Sequence, residues 1–309
     1  MCRLFGLTAG DNRVRATFWL LDAPDSLQVQ SWRNADGSGI GFFDPAGTPV
    51  LDKQPEPAFC DPEFIHEARH AVSTQFVAHV RWATVGARTV RNTHPFAMQG
   101  RIMAHNGGLG EISRLDAQLG PYRSLVLGDT DSERYFALIT QQIDRHGGDV
   151  GAGIVAAARW VGANLPVSSL NMVVAAPGEL WALRYPGQHA LHIIERPGGA
   201  SAAAGPTGSA GRPVPGAAGS ADRPVPGAAG SAGLHVRSAT SSMHAPALEA
   251  VASVVVASEE LDGERGWRML APGELVRVRA DLTVESWVAL PEPPVHLVTL
   301  AGRNPNVDT

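Results

Sequence analysis

The chain has 309 residues, of which 44% are hydrophobic and 18% are charged, so it can form one large domain or two small ones. A formal net charge of −5 gives no electrostatic reason to expect nucleic acid or an anionic membrane as a partner. No apolar run approaches the roughly 20 residues that span a bilayer, and the first residues do not have the basic region and long apolar stretch of a secretory signal. Two cysteines, Cys2 and Cys60, do not make a disulfide scaffold, and we predict a cytoplasmic protein.

Short apolar segments bounded by turn residues predict strands in the first third of the chain, at residues 2–9, 40–43, 75–82 and 101–105. Three helices are predicted between and after them. The first covers residues 61–70, with Asp61 as N-cap and Pro62 in the first turn. The sequence Thr-Asp-Ser-Glu at 130–133 matches a capping box and opens a helix to about residue 145, and another helix follows at 150–164.

Strand-like segments return in the second half of the chain, at residues 170–175, 180–184, 191–195, 252–258 and 274–279. An order of strands, helices and strands again favours an α+β fold with two antiparallel sheets and helices outside them. We therefore predict a single domain over residues 2–290, followed by a C-terminal tail at 291–309.

One segment, at about residues 198–235, consists almost entirely of Ala, Gly, Pro and Ser and repeats Arg-Pro-Val-Pro-Gly-Ala-Ala-Gly-Ser-Ala from Arg212 and from Arg223. Such a composition buries too little apolar surface to offset the entropy of ordering. We expect a disordered insertion between two strands, because the entropy of closing a loop grows slowly with its length.

Cys2 is a candidate nucleophile because removal of Met1 would give the same residue a thiol and a free α-amine. An α-amine titrates near 7.7–8.0, below an ordinary thiol at about 8.5, so it can accept the thiol proton during attack. Taken alone, a cysteine at position 2 is better explained as a small apolar residue at the start of a strand.

Three further motifs carry side chains that suit an amide substrate. Arg81, in His-Val-Arg-Trp-Ala-Thr, can bind a carboxylate through its guanidinium fork. Asn106 and Gly107, in His-Asn-Gly-Gly, can donate two N–H groups to an oxyanion, although Asn-Gly is also an ordinary turn. Asp131 lies in the first turn of a predicted helix, where it can bind an ammonium group or serve as a capping residue.

Together these segments resemble class II glutamine amidotransferases, which are N-terminal nucleophile hydrolases. The resemblance rests on Met-Cys-Arg, Arg-Trp-Ala-Thr, His-Asn-Gly and Thr-Asp-Ser-Glu in that order, and it covers residues 2–195 and about 251–288. It implies a four-layer αββα sandwich, a glutamyl thioester intermediate, and no metal or organic cofactor.

The resemblance also implies the role of each site residue. Cys2 is then the nucleophile, and Asn106 with Gly107 forms the oxyanion hole. Arg81 binds the substrate carboxylate with Thr84 nearby, and Asp131 binds the α-ammonium. Three histidines, His79, His94 and His105, have no zinc-like spacing and are interpreted as structural, as Cys60 is interpreted as uninvolved.

Two enzymatic readings remain open for a stand-alone chain of this type. One is an amidohydrolase that cleaves glutamine or a γ-glutamyl compound, similar to the γ-glutamyl hydrolase of ergothioneine synthesis. The other is a glutaminase subunit that supplies ammonia to a separate synthase. An N-terminal cysteine acylase is less consistent with charged binding groups such as Arg81 and Asp131, and a non-catalytic module is less consistent with a retained nucleophile and oxyanion pair.

Overall fold

A computed structural model of the chain describes residues 2–83, 86–198, 235–237, 242–244 and 251–298. The strands, in chain order, are β1 Arg3–Thr8, β2 Ser38–Phe43, β3 Pro49–Gln54, β4 Gln75–Val80, β5 Phe96–Met98, β6 Arg101–Leu109, β7 Val167–Ala176, β8 Glu179–Leu183, β9 His192–Arg196, β10 His235–Arg237, β11 Ser242–His244, β12 Ser253–Ala257, β13 Arg268–Met269, β14 Glu274–Arg279 and β15 Val284–Val288. The α-helices are α1 Leu27–Gln30, α2 Pro62–His70, α3 Ile112–Leu119, α4 Asp131–Arg145 and α5 Val150–Asn164. A π-helical turn covers Phe18–Asp22, and 3₁₀ turns cover Val90–Asn92 and Gly120–Leu125.

Two antiparallel sheets contain nearly all of these strands. The first sheet has seven strands in the order β13-β9-β12-β1-β4-β2-β3, and the second has six in the order β15-β14-β8-β7-β6-β5. Strand β1, which follows the candidate nucleophile Cys2, lies near the middle of the first sheet, between β12 and β4. A short pair, β10 with β11, is separate from both sheets.

The sheets pack face to face with helices on both outer surfaces. Between the sheets lies a core that includes Leu4, Val77 and Val173. Outside the first sheet, Phe5 packs in a cluster with side chains of the π-helical turn, α1 and α2, and outside the second sheet α3, α4 and α5 contribute to another cluster. This is the predicted four-layer αββα sandwich. Alternation along β1 explains the division, because Leu4 faces inward while Phe5 and Leu7 face the outer helices.

The predicted strands and helices of the first half are all present, within a few residues of their expected ends. The capping residues of α2 were predicted correctly, since Asp61 accepts hydrogen bonds from the backbone N–H groups of Glu63 and Phe64 at 3.0 and 3.2 Å. Pattern reasoning did not anticipate β3, β5, α1 or α3. Within the described residues, no helix combines the length and apolarity needed to cross a bilayer.

The strands expected to flank the Ala/Gly/Pro/Ser segment, β9 and β12, are neighbours in the first sheet. Residues 199–234 lie outside the described residues, so the disorder predicted for this segment stays a prediction. The beginning of the predicted tail is described and packs on the sandwich: Val167 donates its N–H to His296 at 2.9 Å and accepts one from Val298 at 2.8 Å. Residues 299–309 lie outside the described part of the chain.

Candidate active site

Cys2 lies directly before β1, half-buried, with its sulfur against the backbone of Trp82. The Trp82 N–H donates to Sγ at 3.2 Å, and the thiol in turn lies 3.4 Å from the Trp82 carbonyl oxygen. Burial raises the pKa of the Cys2 thiol, while the Trp82 N–H and the positive charge of Arg81 oppose the rise. The thiol is therefore protonated at neutral pH, and a nucleophilic role for it would require a group that removes its proton.

Arg81 follows β4 and is nearly buried, at 3% exposure. Its Nη1 donates to the Ala87 carbonyl and its Nη2 to the Gly86 carbonyl, each at 3.2 Å. Burial lowers the pKa of Arg81, and the neighbouring Cys2 and Asp36 raise it, but a guanidinium keeps its proton in proteins. The structure thus places a fixed positive charge beside the sulfur.

Asp36 holds the segment that carries Arg81, a role that the sequence pattern did not reveal. Its Oδ2 accepts the Ala83 N–H at 2.7 Å, its backbone N–H donates to the Arg81 carbonyl at 3.0 Å, and its carboxylate forms an ion pair with Arg88. Next to it, Gly37 accepts the Arg81 N–H at 2.8 Å. The Asp-Gly turn therefore fixes both ends of the Arg81 peptide. The sequence feature that could have indicated this role of Asp36 is an acidic residue within a glycine-rich turn.

The glycine-rich turn continues into β2, which pairs with β4 and not with β1. A Cβ on Gly39 would lie 2.3 Å from the carbonyl oxygen of His94. Only glycine at position 39 therefore allows the backbone at His94 to approach β2 this closely.

Asn106 and Gly107 lie inside β6 and not in a strand-end turn, because β6 continues to Leu109. The Asn106 side chain is 4% exposed, and its Nδ2 donates to the Cys2 carbonyl oxygen at 2.7 Å. A Cβ at position 107 would lie 1.9 Å from the Ser169 carbonyl oxygen of the paired strand β7. Only glycine fits there, so the Asn-Gly pair is a feature of the packed sheet.

Asp131 is the first residue of α4, and Thr130 caps that helix by accepting the Glu133 N–H at 3.2 Å. The Asp131 carboxylate is 6% exposed and accepts the N–H of Leu109 at 2.8 Å and of Ser132 at 2.9 Å. The negative charge of this carboxylate raises the pKa of the Cys2 thiol and the pKa of the Arg81 guanidinium. The negative group is thus fixed at the same site by the second sheet and by its own helix.

Thr84, expected beside Arg81, lies outside the described residues. The other predicted site residues come together from four separate segments: Cys2 before β1, Arg81 after β4, Asn106 in β6 and Asp131 in α4.

His105, next to Asn106 in β6, connects three elements through hydrogen bonds. Its Nε2 lies 3.2 Å from the Ser169 carbonyl oxygen and its Nδ1 lies 2.9 Å from the Ser132 hydroxyl. A carbonyl only accepts, so Nε2 carries the proton and Nδ1 accepts from the hydroxyl. Burial lowers the pKa of His105, which keeps this neutral bridge between β6, β7 and α4.

His79 and His94 stack in the interior with ring centroids 4.2 Å apart, although they are 15 positions apart in the sequence. Burial lowers the pKa of His79 to about 3 and that of His94 well below its ordinary value. Among the described residues, no group of three or more His, Cys, Asp or Glu side chains is arranged to hold a metal ion.

A thiol at the start of a central strand of an αββα sandwich defines a class, the N-terminal nucleophile type of amide-cleaving enzyme. Residues 1–198 match the family Glutamine amidotransferases class-II, and the chain belongs to this family. It is 34% identical to the gamma-glutamyl-hercynylcysteine sulfoxide hydrolase of Mycobacterium tuberculosis (strain H37Rv) over 217 residues, which are 67% of this chain and 85% of the relative.

Two other comparisons extend this result. The chain is 29% identical to the probable glutamine amidotransferase DUG3 of Saccharomyces cerevisiae over 171 residues. These residues are 48% of this chain and 47% of the yeast protein. A glutamine aminotransferase class-II domain protein from Silicibacter pomeroyi superposes with a TM-score of 0.54 at 19% identity, covering 92% of this chain and 98% of that one. At that identity the superposition supports the fold alone.

Proposed function

We propose that the protein hydrolyses the γ-amide of glutamine or of a γ-glutamyl compound, with the thiol of Cys2 as nucleophile. The observation that carries the proposal is the convergence of Cys2, Arg81, Asn106 and Asp131 at one end of the sandwich. In particular, the Asn106 amide reaches the nucleophile residue itself, at 2.7 Å from the Cys2 carbonyl oxygen.

The thiol needs a proton acceptor because burial raises its pKa. Removal of Met1 makes the α-amine of Cys2 available, and this amine is the base in our proposal. As Sγ attacks the γ-carbonyl carbon, the amine takes the thiol proton and passes it to the departing nitrogen. The C–N bond breaks, ammonia or an amine leaves, and a glutamyl thioester remains. Water then attacks the thioester, releases glutamate and returns the proton to sulfur.

Substrate orientation follows from the two fixed charges. Arg81 binds the α-carboxylate and Asp131 binds the α-ammonium, so the γ-carbonyl is directed to the sulfur. Thr84 completes the carboxylate side in this proposal. An asparagine amide has two N–H groups; one holds the Cys2 carbonyl, and we assign the other, with the Gly107 N–H, to the oxyanion of the tetrahedral intermediate.

The 34% identity to a gamma-glutamyl-hercynylcysteine sulfoxide hydrolase over most of that relative favours hydrolysis of a γ-glutamyl compound. Supply of ammonia to a synthase partner is the second candidate. The observation that favours it is the large apolar side chain of Trp82, which is 39% exposed although its backbone contacts the Cys2 sulfur, because exposed aromatic side chains are enriched at protein interfaces. Both cysteines are free thiols, which is consistent with a reducing, cytoplasmic location.

Mass spectrometry of the native protein with a glutamine-mimicking electrophile tests the mechanism. We expect a mass without Met1 and a single label on Cys2. Cys60→Ala, which removes the exposed second thiol, is the matched control and keeps both labelling and turnover. Cys2→Ala abolishes both while the far-UV spectrum is unchanged. An active protein that retains Met1, or turnover by Cys2→Ala, would exclude the α-amine mechanism.

A further inference from the structure

Asn92 is a buried side chain that contacts two separate loops at the candidate site. It is the last residue of the 3₁₀ turn Val90–Asn92, and its side chain is 1% exposed. An asparagine amide has two N–H donors and one oxygen acceptor, and in Asn92 both the nitrogen and the oxygen form hydrogen bonds. Such a buried amide holds the groups that it contacts in place, because breaking either bond leaves a polar atom unpaired.

The first contact is with the loop that supports Arg81. Asn92 Nδ2 donates to the Ala87 carbonyl oxygen at 3.1 Å, and Arg81 Nη1 donates to the same oxygen at 3.2 Å. Gly86, whose carbonyl accepts Arg81 Nη2 at 3.2 Å, also lies against this amide, since a Cβ at position 86 would be 3.1 Å from Asn92 Nδ2. Asn92 therefore fixes the backbone that orients the guanidinium of Arg81.

The second contact is with the residues that precede helix α4. The Asp129 N–H donates to Asn92 Oδ1 at 2.8 Å, and Asn92 Nδ2 makes a longer contact of 3.4 Å with the Asp129 carboxylate. Gly128 packs on the same amide so closely that a Cβ there would lie 2.5 Å from Asn92 Oδ1. Asn92 thus also fixes the chain directly before the turn that carries Asp131.

The segment that carries Asn92 is attached to the first sheet. Lys53 of β3 donates from Nζ to the Thr93 carbonyl oxygen at 2.7 Å. The ring of His94 stacks on that of His79 in β4, with ring centroids 4.2 Å apart. The two contacts of Asn92 therefore fix both loops relative to the first sheet and relative to each other.

We propose that Asn92 is a positioning residue that sets the distance between the two substrate-binding charges, Arg81 and Asp131. In glutamine and in γ-glutamyl compounds the α-carboxylate and the α-ammonium are attached to the same carbon. Both are bound at once only if the spacing of the guanidinium and the carboxylate in the protein matches that of the substrate. The proposal rests on the function proposed above and gives Asn92 no contact with the substrate.

The test uses three amides that differ only at the α-carbon: L-glutamine, glutaramate, which lacks the α-ammonium, and 4-aminobutanamide, which lacks the α-carboxylate. In the wild type we expect kcat/KM for glutamine to exceed that for each analogue by about tenfold or more, because each analogue loses one charge-assisted contact. In Asn92→Ala both ratios fall by about tenfold, mainly because KM for glutamine rises. Where an analogue is not cleaved, its inhibition constant against glutamine is compared with KM instead.

A second variant and a control accompany this test. Gly128→Ala disturbs the same contact from the other side, since its Cβ meets Asn92 Oδ1, and the same fall in both ratios is expected. Gln141→Ala is the matched control and keeps the wild-type ratios: its buried Nε2 also donates to two backbone carbonyls, those of Gln118 and Leu119 at 3.2 and 2.9 Å, in the middle of α4. The ratios are independent of the fraction of folded protein, because all compounds are measured on one sample.

The outcomes distinguish this proposal from the proposed function. A fall of all three kcat/KM values by one factor shows a structural role alone and overturns the positioning role. A loss with glutamine and glutaramate but not with 4-aminobutanamide overturns it too, because Asn92 then supports Arg81 only. A wild type that does not distinguish the three amides refutes the roles of Arg81 and Asp131 but leaves the thiol mechanism intact. Failure to cleave glutamine or any γ-glutamyl amide refutes the proposed function itself.

Discussion

Replacing Asn106 with alanine separates the proposed catalytic role of this side chain from its structural role. The hydrogen bond from Nδ2 to the Cys2 carbonyl is 2.7 Å long, and the side chain is 4% exposed. Losing it leaves a backbone acceptor without that partner, which costs about 1–3 kcal/mol of the free energy of unfolding. A domain stabilised by roughly 5–15 kcal/mol remains almost entirely folded after such a loss, so unfolding cannot explain a large drop in rate.

The loss of an oxyanion donor, in contrast, lowers turnover by on the order of 10²–10³. We therefore expect Asn106→Ala to show a modest shift in urea denaturation together with this larger loss in kcat for glutamine or a γ-glutamyl amide. Asn164→Ala is a matched control, because its Nδ2 also donates to a backbone carbonyl, that of Trp160 at 2.8 Å, on the far end of α5. A fall in kcat of less than tenfold in folded Asn106→Ala would refute the oxyanion role.

Three further predictions concern other parts of the structure. Arg81→Lys keeps the charge but not the fork that contacts Gly86 and Ala87, so we expect KM to rise about tenfold or more with a smaller change in kcat; an unchanged KM would exclude the carboxylate role. Gly107→Ala places a Cβ 1.9 Å from a backbone oxygen and should lower the free energy of unfolding, measured by urea titration, by about 1–3 kcal/mol or more. Gly108→Ala is the control: its Cβ would lie 3.0 Å from the rotatable Ser168 hydroxyl, and we expect a clearly smaller loss in the same titration. The pKa of His79 is lowered from 6.5 to about 3 in the folded state, so between these pH values the unfolded chain binds one more proton than the folded chain. The free energy of unfolding therefore falls by up to about 1.4 kcal/mol per pH unit as the pH decreases through this range. His79→Phe should reduce that slope, and parallel pH profiles of the variant and the wild type would contradict the assignment.

Local patterns in the sequence predicted the elements that carry the site because each has a strong short-range signal. The capping residues Asp61 and Thr130 both accept backbone N–H groups at the starts of α2 and α4. A short strand such as β5, with three residues, has too few positions for alternation to be recognised. Helix α3 begins at Ile112 after Glu111, which has a positive φ of 50° and no capping hydrogen bond, so the usual signal for its start is missing.

Asn106 shows why the sequence does not reveal how the candidate site residues are arranged. The dipeptide Asn-Gly is typical of a turn, whereas the pairing of β6 with β7 keeps it extended, with Asn106 opposite Asn171. That pairing depends on residues more than 60 positions away. Asp36 illustrates the same point, because its contacts with Arg81 and Ala83 exist only once β2 and β4 are neighbours.

The position of the site follows from how the two sheets meet. Over most of their facing area they are joined by apolar side chains such as Leu4 and Val173. At the end where β1 begins, the contact is polar instead, since Asn106 of the second sheet donates to the backbone of Cys2 in the first. Asp131 is joined to the same strand β6 through Leu109. A polar contact between two rigid sheets can hold a thiol and the groups proposed to bind substrate in fixed relative positions, so the proposed chemistry lies where the hydrophobic core of the sandwich ends.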